Sequence, residues 1–156
     1  MIELTVMGAV SIDYPHETFL LDDGKRPEIA EIAKKYGVHY LTRADNSGAK
    51  AGNLNNALRH SKADFVATFD ADHIPRRDAL DTLAGHMKDP LVGMAQAPQT
   101  FYNEDSFLFL DRVVGAGRWH EQAYFFDVLQ PSRDCFDGIT GVGTGVIYRR
   151  STLDEI

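Results

Sequence analysis

The sequence has 156 residues and a single cysteine, Cys135. An internal disulfide and a thiolate cage for a metal both need at least two cysteines, so neither can form within the chain. A lone cysteine can act as a nucleophile, but Cys135 stands between Asp134 and Phe136 with no histidine near it in sequence. We interpret it as a bystander in a protein built for a reducing compartment.

Long hydrophobic runs are absent as well. No apolar stretch approaches the ~20 residues that a membrane-spanning helix needs. Nothing at the N-terminus resembles a signal peptide, because Glu3 interrupts the first apolar stretch. We find no internal repeat and no low-complexity linker, so we expect residues 1–156 to form one soluble domain.

Positive charge is scarce. Lys and Arg number 16 against 23 Asp and Glu, which gives a formal net charge of −7 at pH 7. A surface that binds nucleic acid normally carries clustered Lys and Arg, so we expect no nucleic-acid partner. The acidic balance fits a site that holds an acidic ligand through a bridging cation, although many proteins without such a site are equally acidic.

Strand-like and helix-like segments alternate along the chain. The predicted strands are 18–21, 38–41, 65–69, 91–95 and 146–148, and the predicted helices are 2–12, 27–37, 50–59, 75–87 and 107–126, followed by a polar loop. This alternation is typical of an α/β domain with a mostly parallel sheet flanked by helices. Ligands of such sheets bind beyond the carboxyl ends of the strands, so residues that directly follow a strand are the first candidates for a site.

Asp70-Ala71-Asp72 directly follows the clearest predicted strand. Alternate residues of an extended chain point to opposite sides, so the two carboxylates converge only if the chain turns there. Once converged they repel each other unless a proton or a cation lies between them, and Mg²⁺ or Mn²⁺ typically bridges carboxylates to phosphates. His73 is either a third ligand that favours Mn²⁺ or a surface histidine, and an ordinary turn explains the two aspartates equally well.

A second acidic turn, Asp22-Asp23-Gly24, follows an earlier predicted strand. A carboxylate there can accept hydrogen bonds from a base or a ribose, but Asp-Gly is also typical of a plain turn.

Two glycine-containing segments are further candidates. Gly48 to Asn55 opens a predicted helix, where backbone N–H groups and Lys50 suit a phosphate, although its spacing is not that of a P-loop. A start of small residues packed closely on the sheet is the structural alternative. Gly141 to Gly145 either lets the backbone approach a sugar or forms a tight turn into the last strand. The sequence has no Gly-x-Ser-x-Gly elbow and no His-Glu-x-x-His helix, which argues against two common hydrolase classes.

Together these motifs resemble the family 2 glycosyltransferases, in particular the bacterial cellulose synthase catalytic subunits that form UDP. The motifs that carry the resemblance are Tyr14-Pro15, Leu21 to Pro27, Arg43 to Asn46, Ala49 to Leu58, Phe69 to Pro75, Asp89-Pro90, Gln96 to Asn103, and Gly143 to Gly145 before Tyr148 to Arg150. They occur in order over nearly the whole chain, which is more specific than any single motif. The resemblance implies a GT-A fold with a Rossmann-like sheet, and it favours the ligand roles over the structural alternatives.

The resemblance also implies roles for particular residues. Asp22, with Asp23 beside it, contacts the nucleoside, and Lys50 lies by the nucleotide. Asp70 and Asp72 hold Mg²⁺ or Mn²⁺ on the diphosphate, so Asp70 belongs to both the donor site and the metal site.

A last stretch implied by the resemblance lies near the acceptor sugar. It corresponds to Val142, Gly143 and Thr144, where the Phe and Cys of the family pattern are absent, so acceptor contacts are expected to differ.

Three family elements do not occur within residues 1–156. The first strand is expected before Met1. The general base and the membrane helices are expected beyond Ile156. The resemblance therefore predicts a partial GT-A domain from a longer membrane enzyme, truncated at both ends, with a gap or an exposed edge in its sheet.

The function implied is that of a processive inverting enzyme of cellulose synthesis. It would transfer glucose from UDP-glucose to a growing β-1,4-glucan acceptor at the cytoplasmic face of the inner membrane, together with further synthase subunits. Two alternatives stay open. One is a synthase of another polysaccharide, such as mannan, curdlan or an N-acetylglucosamine polymer, and the other is a non-catalytic nucleotide-binding module.

Overall fold

Helices and strands alternate along the chain, as the sequence predicts. The computed structural model describes residues 1–102, 120 and 122–155. Within them the elements are α1 (Ile2–Val10), β1 (Phe19–Leu21), α2 (Pro27–Tyr36), β2 (His39–Leu41), α3 (Ala49–His60), β3 (Phe65–Thr68), α4 (Ala79–His86), β4 (Met94–Gln96), a π-helical segment (Tyr124–Leu129), α5 (Gln130–Asp134), β5 (Val146–Arg149) and α6 (Arg150–Asp154). The longest of these α-helices, α3, has 12 residues, and no described helix is long and apolar enough to cross a membrane.

The strands form two sheets. β1 and β2 pair in parallel, and β5 lies between β3 and β4 and runs antiparallel to both. The α/β class is therefore confirmed, but the direction of β5 differs from the expectation of a mostly parallel sheet. The loop before β5 explains the difference, because the Gly145 N–H bonds the Thr68 carbonyl and the Ala97 N–H bonds the Gly145 carbonyl. β5 thus begins where β3 and β4 end, and it runs back between them.

Local sequence explains the bounds of α2. Pro27 stands in its first turn, where a missing N–H has no cost, and Ile29 and Ala33 are buried on one face. The helix ends at Gly37, whose φ of 68° lies in the left-handed region that glycine adopts without strain. The predicted start and stop signals are both confirmed.

α4 begins at Ala79 rather than at the predicted Pro75. Residues 73–78 instead lie against the end of α1, where the Asp13 N–H donates to the Arg77 carbonyl oxygen at 2.9 Å. Gly8 of α1 lies so close to Ile74 that a Cβ at this glycine would stand 2.8 Å from it. Packing against α1 therefore overrides the helix-start signal of Pro75.

β4 begins three residues later than its predicted start at Leu91. Leu91 is 92% exposed, and its N–H donates to the Asp89 side chain at 2.9 Å, so it belongs to a turn. The strand that follows packs its Ala95 with Ile147 of β5 against Leu83 and Met87, which form the buried core on the α4 side of the three-stranded sheet.

The polar loop predicted after Phe126 begins later than expected, after Asp134. The chain stays helical from Tyr124 to Asp134, first as the π-helical segment and then as α5. Gln130, the first residue of α5, holds the loop that follows this helix, because its side-chain amide bonds both the N–H and the carbonyl oxygen of Thr140. Most of the predicted helix 107–126 lies outside the described residues.

A large cavity, about 1510 Å³ in volume, separates the two sheets. β1 and β3 both line it, and α1 and α3 contribute apolar side chains to its walls. Each of the two strands has a sheet partner on one edge only within the described part of the chain. The second edge of each therefore has no strand beside it among these residues.

Candidate functional site

Four of the predicted site residues come together at the carboxyl end of β3. Lys50, in the first turn of α3, forms an ion pair with Asp70 and donates to the Gly143 carbonyl oxygen at 2.9 Å. The Asp70 N–H donates to the Thr144 hydroxyl at 2.9 Å. Asp70 and the glycine-rich loop before β5 are therefore joined by two independent contacts.

Asp70, Asp72 and His73 form a cluster that fits a metal ion. The His73 N–H donates to the Asp70 carbonyl oxygen at 3.0 Å, and this is the turn that two aspartates at positions i and i+2 need to converge. One ligand atom from each of the three residues lies within 4.8 Å of the others. Two carboxylate oxygens and one imidazole nitrogen match the ligand preference of Mn²⁺ and also suit Mg²⁺ through the oxygens. The donor set fits a divalent cation.

The start of α3 is a tight loop. Gly48 has φ 69°, and Ala49 has φ 44°, a region that residues other than glycine seldom adopt. A Cβ at Gly52 would lie only 2.1 Å from the Ser47 carbonyl oxygen, so the loop closes onto the helix at that glycine. This turn brings Lys50 to the end of β3 with its side chain 51% exposed, accessible to a ligand.

Asp23 ties the end of β1 to this loop. The Arg43 guanidinium donates to both Asp23 carboxylate oxygens at 2.7 Å, and it also donates to the carbonyl oxygens of Ser47 and Ala49 at 2.5 and 2.8 Å. The hydrogen bond from Arg43 lowers the pKa of Asp23 below its ordinary value. Arg43 therefore fixes the approach to Lys50, although the sequence assigned it no role.

Asp22 lies at the same turn, but its side chain is fully buried. Its oxygens accept hydrogen bonds from the Gly24 N–H, from the N–H and guanidinium of Arg26 and from the Tyr40 hydroxyl. Burial by itself raises the pKa of this carboxyl, yet the hydrogen bonds from Arg26, Tyr40 and Gly24 outweigh burial and lower the pKa to about 2. Asp22 and Asp23 are thus engaged by Arg26, Tyr40 and Arg43 rather than by the Lys50–Asp70 pair.

Gln96 is the other residue to which the sequence assigned no role. It ends β4, and its side chain bonds the loop that carries Gly143 and Thr144. Two signals in the sequence could have found it: Gln96 directly follows the predicted strand 91–95, and it opens the motif Gln96 to Asn103.

Residues 4–156 match the glycosyl transferase family 2. The chain belongs to this family. It is 38% identical over 160 residues to cellulose synthase 1 catalytic subunit [UDP-forming] of Komagataeibacter xylinus, covering 100% of this chain and 21% of that protein. It is 36% identical over 163 residues to the cellulose synthase catalytic subunit [UDP-forming] of Pseudomonas fluorescens, covering 100% of this chain and 22% of that protein.

Among solved structures, the fold is similar to a mannosyltransferase from Pyrobaculum calidifontis in complex with GDP-Man and Mn²⁺. The TM-score is 0.57 at 25% identity, over 64% of this chain and 32% of that protein. This family 2 domain therefore has the predicted GT-A glycosyltransferase fold. It spans 21–22% of the length of the two cellulose synthase subunits and matches only part of the mannosyltransferase.

Proposed function

We propose that this family 2 domain is the donor-binding core of a processive inverting glycosyltransferase that adds glucose from UDP-glucose to a β-1,4-glucan. The observation that carries the proposal is the convergence of Lys50 with the Asp70–Asp72–His73 cluster at a strand end. The UDP-forming cellulose synthases that it resembles support the choice of nucleotide and sugar, and the mannosyltransferase bound to GDP-Man and Mn²⁺ supports a metal-dependent donor site.

The metal ligands of the proposal are Asp70, Asp72 and His73. A divalent cation held by them would supply positive charge to the diphosphate as the bond to the sugar breaks. In the structure Lys50 neutralises Asp70. When a donor binds, we expect the Lys50 ammonium to turn toward a phosphate oxygen, a movement that its half-exposed side chain allows.

Asp22 and Asp23 remain our candidates for the nucleoside side of the donor. The Asp22 carboxylate is saturated with hydrogen bonds and fully buried, so we propose that it acts by holding the turn in place. The Asp23 side chain is 28% exposed and presents the more accessible carboxylate, held in one orientation by Arg43. Gly143 and Thr144, on the other side of Lys50, are proposed to border the sugar.

The test is UDP binding by calorimetry, with and without Mn²⁺, in the wild type and two variants. Asp72→Ala removes a proposed ligand, and Asp81→Ala removes an exposed aspartate of α4 as a matched change of charge. We expect metal-dependent binding in the wild type and in Asp81→Ala, and its loss in Asp72→Ala. Equal UDP affinity with and without metal would contradict the metal-diphosphate role. A wild type that binds no UDP would favour a non-catalytic module.

A second candidate function differs in the donor sugar. The mannosyltransferase neighbour binds GDP-Man, so a mannan synthase is a specific alternative. Competition experiments with UDP-glucose, UDP-N-acetylglucosamine and GDP-mannose would distinguish the donors. Displacement of UDP by GDP-mannose in preference to UDP-glucose would overturn the glucan assignment.

We also propose that the domain functions within a longer membrane enzyme that supplies the general base, the membrane helices of the export channel and one more strand. The cavity between β1 and β3 supports the proposal of an additional strand. Hydrogen bonds of Thr18 and Asp22 to β2 leave the N–H and C=O groups of Phe19 and Leu21 on the open edge of β1. Along β3, Asp64 and Thr68 bond toward β5 and leave Phe65 and Ala67 on the open edge.

Asn53 of α3 adds an independent observation. It lines the same cavity, is 8% exposed, and its buried Oδ1 atom has no hydrogen-bond partner among the described residues. A buried carbonyl oxygen without a partner is costly, so a strand that donates an N–H to it would remove that cost. Hydrogen exchange tests the proposal: the amides of Phe19, Leu21 and Ala67 should be protected in the longer protein and exchange quickly in residues 1–156 alone. Equal exchange in both would contradict it.

A further inference from the structure

Gln96 uses both ends of its side-chain amide to hold the glycine-rich loop before β5. Its Nε2 donates to the carbonyl oxygens of Ala97, Thr144 and Gly145 at 2.8, 3.0 and 3.1 Å. Its Oε1 accepts the Val142 N–H at 3.0 Å. One side chain at the end of β4 therefore contacts the loop on both sides of Gly143.

The same loop contacts the proposed donor site. Thr144 carries the hydroxyl that accepts the Asp70 N–H, and Gly143 carries the carbonyl oxygen that accepts from Lys50 and, at 3.2 Å, from the Thr68 hydroxyl. Gly143 has φ 79° and can hold this conformation without strain. A shift of the loop would therefore move the partners of both Lys50 and Asp70.

We propose that Gln96 is a positioning residue that sets the metal and diphosphate end of the site by clamping residues 142–145. It does so without contacting the donor, because its amide is already occupied by backbone groups. The expected effect of Gln96 on nucleotide binding rests on the proposed function. Its expected effect on Asp70 depends only on the hydrogen bonds of this clamp.

The chemistry of the clamp requires an amide. Three carbonyl oxygens face the Nε2 atom and one N–H faces the Oε1 atom, so the environment needs a donor and an acceptor on the same group. Gln96→Glu keeps the shape but puts carboxylate oxygen against those carbonyls. Gln96→Met keeps the length and removes every hydrogen bond.

The experiment measures two quantities in Gln96→Glu and Gln96→Met. The first is the affinity for UDP with Mn²⁺, compared with the affinity for uridine, which lacks the diphosphate. The second is hydrogen exchange at the Asp70 amide, which needs no ligand. We expect about a tenfold or larger loss for UDP–Mn²⁺, as for other residues that orient metal ligands. Uridine binding should be unchanged, and exchange at Asp70 should be faster.

Gln130→Met is the matched control. Gln130 is 5% exposed and also holds backbone with both ends of its amide, but its partner is Thr140, before the clamped segment. It should lower stability and leave both readouts unchanged. Parallel losses for UDP and uridine, or an unchanged Asp70 amide, would overturn the inference. If the wild type binds no UDP, the proposed function fails, and exchange at Asp70 still decides whether Gln96 positions this residue.

Discussion

The Lys50 ammonium group pairs with Asp70, one of the two carboxylates proposed to bind the metal, and also donates to the Gly143 carbonyl oxygen at 2.9 Å. A cation of the protein therefore already satisfies this carboxylate. A divalent ion that enters the cluster must compete with Lys50 for Asp70. A diphosphate offers Lys50 another anionic partner and should relieve that competition.

Replacing Lys50 should separate metal affinity from nucleotide affinity. In Lys50→Met we expect Mn²⁺ alone to bind a few-fold more tightly, because its competitor is gone. UDP with Mn²⁺ should bind about tenfold more weakly, because a charge-assisted hydrogen bond to phosphate is lost. Calorimetry of both titrations provides the measurement, with the exposed Lys88→Met as the control. Weaker binding of Mn²⁺ alone in Lys50→Met would show that Lys50 does not compete with the metal.

His73 should determine which metal is preferred. Imidazole suits Mn²⁺ better than Mg²⁺, so His73→Ala should weaken Mn²⁺ binding several-fold and change Mg²⁺ binding much less. His86→Ala, on the exposed side of α4, is the matched control. Competition between the two ions in the presence of UDP gives the ratio of the Mn²⁺ and Mg²⁺ affinities directly. An unchanged ratio would leave Asp70 and Asp72 as the protein's only ligands among the three.

Two glycine-to-alanine changes in helices should have opposite effects on stability. Ala at Gly52 would place its Cβ 2.1 Å from the Ser47 carbonyl oxygen and 2.4 Å from the Arg43 guanidinium, so the loop must move. We expect a loss on the order of 2 kcal/mol or more in the free energy of unfolding. A methyl group added at Gly85 of α4 would meet no atom of the described residues within 4 Å, so Gly85→Ala should stabilise by up to about 1 kcal/mol. Urea denaturation measures both changes.

Stability should fall in acid through Asp22. Its pKa in the folded chain is about 2, below the ordinary 3.8, so the unfolded chain binds more protons between these values. The contribution of Asp22 is therefore complete above about pH 4 and is lost as the pH falls toward 2. The difference between the two pKa values corresponds to roughly 2 kcal/mol in the free energy of unfolding. Urea denaturation from pH 5 to pH 2.5 should show a shallower dependence in Asp22→Asn than in the control Asp81→Asn.

The place of Asp70 in the candidate site was predictable, because the strand before it is easy to recognise in this sequence. The resemblance, rather than the strand-end rule, suggested Lys50, Gly143 and Thr144 as its neighbours. Phe65 to Phe69 is a clear apolar run, and the rule that sites lie beyond such ends needs no side-chain detail. The direction of β5 was not predictable, because it depends on where residue 145 finds its hydrogen-bond partners. The Thr68 carbonyl oxygen that fixes it lies 77 residues earlier.

Side-chain partners that are distant in sequence could not be predicted either. Asp22 is saturated partly by Tyr40, 18 residues away, and Asp23 is held by Arg43, 20 residues away. A sequence pattern gives the type of such residues but not the geometry that decides which carboxylate stays accessible. The same limit applies to Gln96, whose partners lie 46 and 48 residues away.

If the proposed additional strand fills the cavity between β1 and β3, residues 1–156 would behave as one partner of a strand-complementation pair. The two open strand edges and the Asn53 oxygen, unpartnered within the described part of the chain, are complementary to an extended segment, so association and completion of the core would be a single event. Such a segment, added in trans and carrying a fluorophore, would become a reporter of folding. The stability of the domain would then rise with the concentration of its complement.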